Sequence, residues 1–184
     1  NIKNLLRAYS ILPSEILNKT KLVIAGKLIK PELDLLDIWI NDFNINPKNV
    51  ISLGYVSDDD LVLLYRRCSL FVFPSFHEGF GLPVLEAMCC GAPVIASNKT
   101  SIPEVISNKN AIFDPSNPKD ISNLIAKVLT DKIFRNQLIS NAQVQCKKFS
   151  WDISSDLALK AFREVLKRSD SKDKILDWSF MSKN

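Results

Sequence analysis

Five short apolar runs recur along this chain, and stretches with helical periodicity separate most of them. The runs at 21–26, 50–54, 69–75, 92–97 and 110–114 are too short for ordinary helices and are rich in Val, Ile and Phe. Amphipathic patterns occupy 2–12, 31–43, 58–67, 83–90 and 101–106. This alternation predicts βαβ units, a parallel sheet and right-handed crossovers. Val23-Ile24-Ala25 and Phe71-Val72-Phe73 are apolar throughout, as expected of strands covered by helices on both faces. The expected fold class is α/β, a doubly wound parallel sheet with helices on both faces.

Signals at the element ends agree with this reading. Asp58-Asp59-Asp60 places acids at a helix start, where capping and the helix dipole favour them. Pro83 suits a first helical turn, and Gly91 suits the position just past a helix end. The loop at 114–118 feeds a helix reaching about Thr130, and helical periodicity resumes over 132–149 and 151–168. With 184 residues, one domain is favoured over two. Residues 1–168 are expected to form it, with 169–184 a polar tail carrying an apolar patch around Trp178. The chain starts directly on a helix, whereas a doubly wound domain normally opens on a strand. The expectation is therefore a fragment lacking its first strand.

Bulk properties narrow the function. A hydrophobic fraction of 46% and a charged fraction of 24% are ordinary for a globular protein. No apolar run approaches the roughly 18 residues of a spanning helix, and no signal peptide opens the chain. The net charge of +4 suits phosphates or an anionic surface but is too small to argue for nucleic acid. Arg66-Arg67 and Lys147-Lys148 read as solvated helix faces. Cys68, Cys89, Cys90 and Cys146 match no zinc spacing and read as reduced, buried thiols of a cytosolic protein.

The chemistry concentrates in His77-Glu78-Gly79-Phe80-Gly81-Leu82-Pro83-Val84-Leu85-Glu86. Two carboxylates, Glu78 and Glu86, flank a glycine-broken loop that leaves a strand and enters a helix. In an open parallel sheet, ligands bind at the carboxyl ends of the strands. Gly79 and Gly81 let a backbone approach a ligand closely, and the helix N-terminus favours an anion. Glu86, in the expected first turn, could accept from a ribose diol, and Glu78 could reach a polar ring beyond the phosphates. Such a site suits transfer from a phosphate-linked donor.

Pro74-Ser75, Glu78-Gly79-Phe80-Gly81-Leu82-Pro83, Glu86-Ala87-Met88, Gly91 and Pro93-Val94-Ile95-Ala96-Ser97 together resemble the signature of the retaining glycosyltransferases of family 4. The spacing of Glu78 and Glu86 is that family's E-x7-E motif. Leu22-Val23-Ile24-Ala25-Gly26, Leu53-Gly54-Tyr55-Val56 with Leu64-Tyr65, Pro103-Glu104-Val105, Phe113-Asp114-Pro115 and Phe149-Ser150-Trp151 extend the resemblance over most of the chain. It implies the GT-B fold, two Rossmann-like domains facing across a cleft, with this chain as the C-terminal, donor-binding half.

By that resemblance the donor is a nucleotide-diphosphate sugar, with GDP-mannose the first guess. The product is a glycan, such as a surface polysaccharide or lipopolysaccharide. Glu86 would bind the ribose, and Glu78 would hold the transferred sugar near the reacting carbon as the catalytic carboxylate. Phe80, Gly81 and Leu82 would face the diphosphate, Tyr55 and Val56 would line the base pocket, and Gly26 would leave room for the nucleotide. His77 would line the site rather than act as a base. The resemblance implies no metal and no cofactor, cytoplasmic location and peripheral contact with the inner face of the membrane. The family's diphosphate-clamping Arg and Lys would precede Asn1, and Lys3 inside the first helix is no substitute. The acceptor-binding domain would also lie outside this chain, so the 184 residues alone are expected not to turn over substrate.

Blander readings stand beside these. Each glutamate taken singly could be a solvated acid, and the aspartates at 58–60 are better read as a capped helix start than as a metal site. Phe71, Phe73, Phe76, Trp39, Trp151 and Trp178 read as packing. Alternatives for the whole chain are another GT-B enzyme, such as an epimerase or phosphorylase-like transferase, and a non-catalytic module binding a nucleotide sugar or a protein partner.

Overall fold

Residues 1–170 are described by the structure, a computed structural model, with side chains described through residue 167. The chain divides into two units, Asn1–Cys146 and a second beginning at Lys147.

The first unit contains strands β1 (Leu22–Ala25), β2 (Val50–Gly54), β3 (Phe71–Phe73), β4 (Val94–Ser97) and β5 (Ile112–Phe113). Its helices are α1 (Ile2–Ser10), α2 (Ser14–Leu17), α3 (Lys30–Asp42), α4 (Asp58–Arg67), α5 (Leu82–Cys89), α6 (Ile102–Ile106), α7 (Pro118–Thr130) and α8 (Lys132–Cys146). The expected elements are present at nearly the expected places. The short α2 and the 3-10 turns at Pro47–Asn49 and Lys109–Ala111 were not anticipated, being too short to show a period.

All strand pairings are parallel, in two groups. β1 pairs with β2, and β4 lies between β3 and β5. Helix α1 packs against both α3 and α7. At its start, the Asn1 side chain donates to the carbonyls of Pro74 (2.9 Å) and Pro115 (2.8 Å). The start of α1 therefore lies with the segments that follow β3 and β5.

The core centres on β4, whose four residues are all buried, and on Leu6, Val84, Met88, Ile102, Val105, Ile121 and Val128. Here the expectation of coverage on both faces holds. It fails for β1, where burial alternates and Val23 is 44% exposed. β4 is hydrogen-bonded on both edges and packs against α5, α6 and α8, whereas among the described residues β1 pairs only with β2. Phe71 and Phe73 pack as expected, their rings stacked at 6.1 Å, but Phe76 is half exposed. Trp39 packs against the core, with the Lys3 ammonium 6.0 Å from its ring centroid. None of the four cysteines is fully buried, and Cys89, the last residue of α5, is exposed.

The second unit contains helix α9 (Trp151–Asp170), started by Ser150, whose hydroxyl accepts from the Asp152 N–H at 3.1 Å. Trp151 is 81% exposed, so its expected packing role is not met. Trp178 and the rest of the tail after residue 170 lie outside the described residues. No helix among the described residues is long and apolar enough to cross a membrane.

Candidate functional site

The predicted site residues lie in loops that follow the carboxyl ends of strands, except Leu82 and Glu86, which lie in α5. Gly26 follows β1, Tyr55 and Val56 follow β2, and residues 77–81 connect β3 to α5. Gly26 and Gly54 are bridged, the Gly26 N–H donating to the Gly54 carbonyl at 2.9 Å. Tyr55 is 81% exposed, an aromatic ring held out at the end of β2.

The loop from β3 is built to hold one shape. Ser75 donates to Glu78 Oε1 at 2.6 Å, a short bond of the kind a charged acceptor makes. The Glu78 N–H donates to Thr100 Oγ1 at 3.1 Å. Gly81 has φ +98° and closes the loop as the N-cap of α5. A side chain there would also press on the end of the Ile102 side chain, which would have to shift, so the conformation is what requires glycine and the space adds to it. Gly79 differs: its φ is ordinary, and a methyl group there would meet nothing. That open space fits close approach of a ligand, while the turn itself depends on Gly81.

Helix α5 begins at Leu82 with Pro83 second, and Gly91 ends it in the left-handed conformation. The Ala92 N–H reaches Ala87 O at 3.0 Å and the Gly91 N–H reaches Met88 O at 3.1 Å, the paired bonds of a Schellman cap. Glu86 is the fifth residue of this helix, so its expected place in the first turn is corrected to the second. The helix starts one residue earlier than its apolar pattern suggested, because Gly81 can adopt the capping conformation. The dipole therefore does little for Glu86. What holds it is Tyr65 of α4, whose hydroxyl donates to Glu86 Oε2 at 3.3 Å.

Tyr65 is almost fully buried, edge-on to Phe71 with centroids 5.2 Å apart. Burial first, then the Glu86 charge and hydrogen bond, raise its pKa above the ordinary phenolic 10.0, so the hydroxyl stays a donor. Glu86 itself is exposed, leaving carboxylate surface free for a ligand. His77 is exposed on the same loop.

The aspartates form the first turn of α4, behind its N-cap Ser57. Ser57 accepts from the Asp60 N–H at 3.2 Å and donates to the Asp60 carboxylate at 2.7 Å. Among the described residues no group of three or more His, Cys, Asp or Glu is arranged to hold a metal ion.

Four residues that sequence reasoning gave no role now touch the site: Tyr65, Ser75, Thr100 and Ser101. Ser75 lies three positions before Glu78, a spacing that could have suggested a local side-chain bond. Tyr65, Thr100 and Ser101 come from 21 to 23 positions away and carried no spacing signal.

Parallel strands alternating with helices, with a glycine-capped loop and two carboxylates beyond the carboxyl end of β3, define an α/β domain, and the comparisons with known proteins specify its family. Residues 1–145 match the model of the family "Glycosyl transferases group 1", and the chain belongs to that family. It is 42% identical over 173 residues to the serotype-specific mannosyltransferase WbdA of Escherichia coli, covering 94% of this chain and 21% of that protein. It is 39% identical to the O-antigen chain mannosyltransferase B of Escherichia coli, covering 89% of this chain and 42% of the relative. The chain thus spans less than half the length of these relatives. Among solved structures, Anabaena HepE in complex with UDP and glucose superposes with a TM-score of 0.75 at 23% identity, over 88% of this chain and 44% of that one. Sucrose-phosphate synthase from Thermosynechococcus elongatus superposes with a TM-score of 0.79 at 22% identity, over 91% and 42%. The fold is that of one half of a GT-B glycosyltransferase.

Proposed function

We propose that this chain is the donor-binding half of a retaining hexosyltransferase that uses a nucleotide-diphosphate sugar, with GDP-mannose the favoured donor. The observation that carries the reading is the placement of two anchored carboxylates on either side of a rigid, glycine-capped loop. Glu78 is held by Ser75 at the loop's start, and Glu86 is held by Tyr65 beyond it. The N-terminus of α5 lies between them, where backbone N–H groups favour a diphosphate. In this reading Glu86 takes the ribose hydroxyls and Glu78 the hydroxyls of the transferred sugar. Phe80, Gly81 and Leu82 face the diphosphate, and His77 and Gly79 line its path. Tyr55 and Val56 take the base, and Gly26 leaves space beside it.

The departing nucleoside diphosphate gains negative charge as the sugar leaves. Preorganised dipoles at that point stabilise the transition state without having to reorganise. The reading assigns no metal to this site. Mannose is favoured because the relatives with the highest identity given above bear mannosyltransferase names, one of them for O-antigen chains. A nucleotide-sugar donor accords with a structural neighbour that carries UDP and glucose. The acceptor, a growing surface glycan or its lipid-linked form, and a cytoplasmic setting at the inner face of the membrane complete the proposal.

Titration calorimetry of the chain against GDP, UDP and ADP, each with and without an attached hexose, tests it. Binding of one nucleotide series that Glu86→Ala abolishes is the expected result. Indifference to every nucleotide would reject the donor site and favour the partner-binding alternative.

A further inference from the structure

Residues 97–101, which leave the buried strand β4, form a second layer beneath the Glu78 loop. The Ser97 hydroxyl accepts from the Lys99 N–H at 3.1 Å, and the Asn98 N–H donates to Phe113 O at 2.8 Å, so the segment is fixed to β4 and β5. From this base Thr100 accepts the Glu78 N–H. The Ser101 hydroxyl lies 3.0 Å from both Glu78 O and Phe80 O and donates toward them. Ile102 fills the space that a side chain at position 81 would need.

Two features separate this arrangement from ordinary loop packing. Ser101 occupies the N-cap position of α6, where a serine hydroxyl normally accepts from its own helix. It makes no such bond, and its hydroxyl is turned to the carbonyls of the Glu78 loop instead. Thr100 has φ +51°, a left-handed conformation that a β-branched residue rarely adopts. Backbone strain of this kind persists where surrounding contacts over-determine it. The strained threonine places its hydroxyl on the Glu78 N–H, and the diverted serine holds the carbonyls on either side of Gly79.

We infer that Thr100 and Ser101 are positioning residues for the sugar end of the donor site, fixing the Glu78–Phe80 backbone so that the Glu78 carboxylate meets the transferred hexose. This rests on the donor-site reading above. The two residues act through Glu78 and need not touch the ligand. Tyr65 and Glu86 belong to a separate support, so the ribose end is independent of them.

The test compares wild type with Ser101→Ala, Ser101→Thr and Thr100→Gly by calorimetry and thermal melting. The probes are GMP, which reaches only the base and ribose end, and GDP-mannose, which also uses the Glu78 loop; UMP and UDP-glucose replace them if the wild type prefers uridine. Ser101→Ala should weaken binding of the nucleotide sugar about tenfold, the scale of one lost hydrogen bond, and leave the monophosphate within about twofold. Ser101→Thr, which retains a hydroxyl, should restore the loss. Thr100→Gly should weaken the nucleotide sugar alone while its melting temperature holds or rises, since glycine relieves the backbone.

Nucleotide-sugar binding by Ser101→Ala equal to wild type overturns the assignment. So does a parallel loss of both ligands together with a lowered melting temperature, which marks a merely structural role. A wild-type chain that binds no member of the guanosine, uridine or adenosine series overturns the donor-site reading, and this assignment with it, before any substitution is compared.

Discussion

Val23-Ile24-Ala25 in β1 and Val94-Ile95-Ala96 in β4 are the same tripeptide in two environments. In β4 the three residues are 2%, 0% and 0% exposed, whereas Val23 is 44% exposed and Ala25 also meets solvent. Identical local sequence has identical strand propensity, so the difference is one of neighbours. β4 is central in its sheet and covered by helices, whereas β1 has one hydrogen-bonded partner strand. The candidate chemistry follows the same division. The Glu78 loop and its supports spring from the buried group of strands, where rigid packing can hold side chains to a fraction of an ångström. The β2 end contributes the exposed ring of Tyr55, suited to a flat apolar ligand face rather than to a charge.

Glycine substitutions should expose this contrast most strongly. Gly81→Ala introduces both left-handed strain and a collision with Ile102, and is expected to cost about 3 kcal/mol in denaturant unfolding. Gly54→Ala at the end of β2 meets open space and should cost only the backbone strain, about 1 kcal/mol. Equal costs would show that the loop relaxes and that its rigidity has been overstated.

The repeated tripeptide offers a like-for-like comparison of smaller size. Val94→Ala should destabilise by about 2 kcal/mol, through lost burial and a residual cavity. Val23→Ala should cost less than about 1 kcal/mol, because nearly half of that side chain is already solvated. A Val23→Ala cost matching that of Val94→Ala would remove the distinction between the two groups of strands.

An effect confined to alkaline pH concerns the hydroxyl that anchors Glu86. Burial raises the pKa of Tyr65 above 10.0 in the folded chain, while the unfolded chain keeps the ordinary value. Below pH 10 both states hold the proton, and the stabilisation is fully present. Above it the unfolded state ionises first, so stability is lost as pH rises toward the folded value, by up to about 1.4 kcal/mol per pH unit. Tyr9, whose pKa is raised by burial in the same way, adds a second such contribution. Tyr65→Phe should therefore flatten the alkaline fall measured by denaturant unfolding between pH 9 and 11, without abolishing it. An unchanged slope would mean that Tyr65 is not held as a neutral donor to Glu86.

Much of the architecture was readable in advance, because period and punctuation act locally. Asp58–Arg67 and Val50–Gly54 stand at the expected bounds, and Pro83 and Gly91 bracket α5 for stereochemical reasons. The glutamate pair was readable because the carboxylates lie on one continuous loop and helix. The turn in which Glu86 sits was misjudged, since it depended on Gly81 capping the helix one residue early. Trp151 and Phe76 were expected to pack and are exposed, because aromatic character alone does not supply a partner.

The amino-acid sequence by itself determined the alternation of strands and helices, the glycine-capped loop and the two carboxylates on it, all through stereochemistry acting within about ten residues. Only the tertiary structure decided which copy of Val-Ile-Ala is buried. It also decided that Tyr65, Thr100 and Ser101 would meet the glutamate loop. Those contacts join residues more than twenty positions apart, and parallel crossovers bring such residues together only once the sheet has formed.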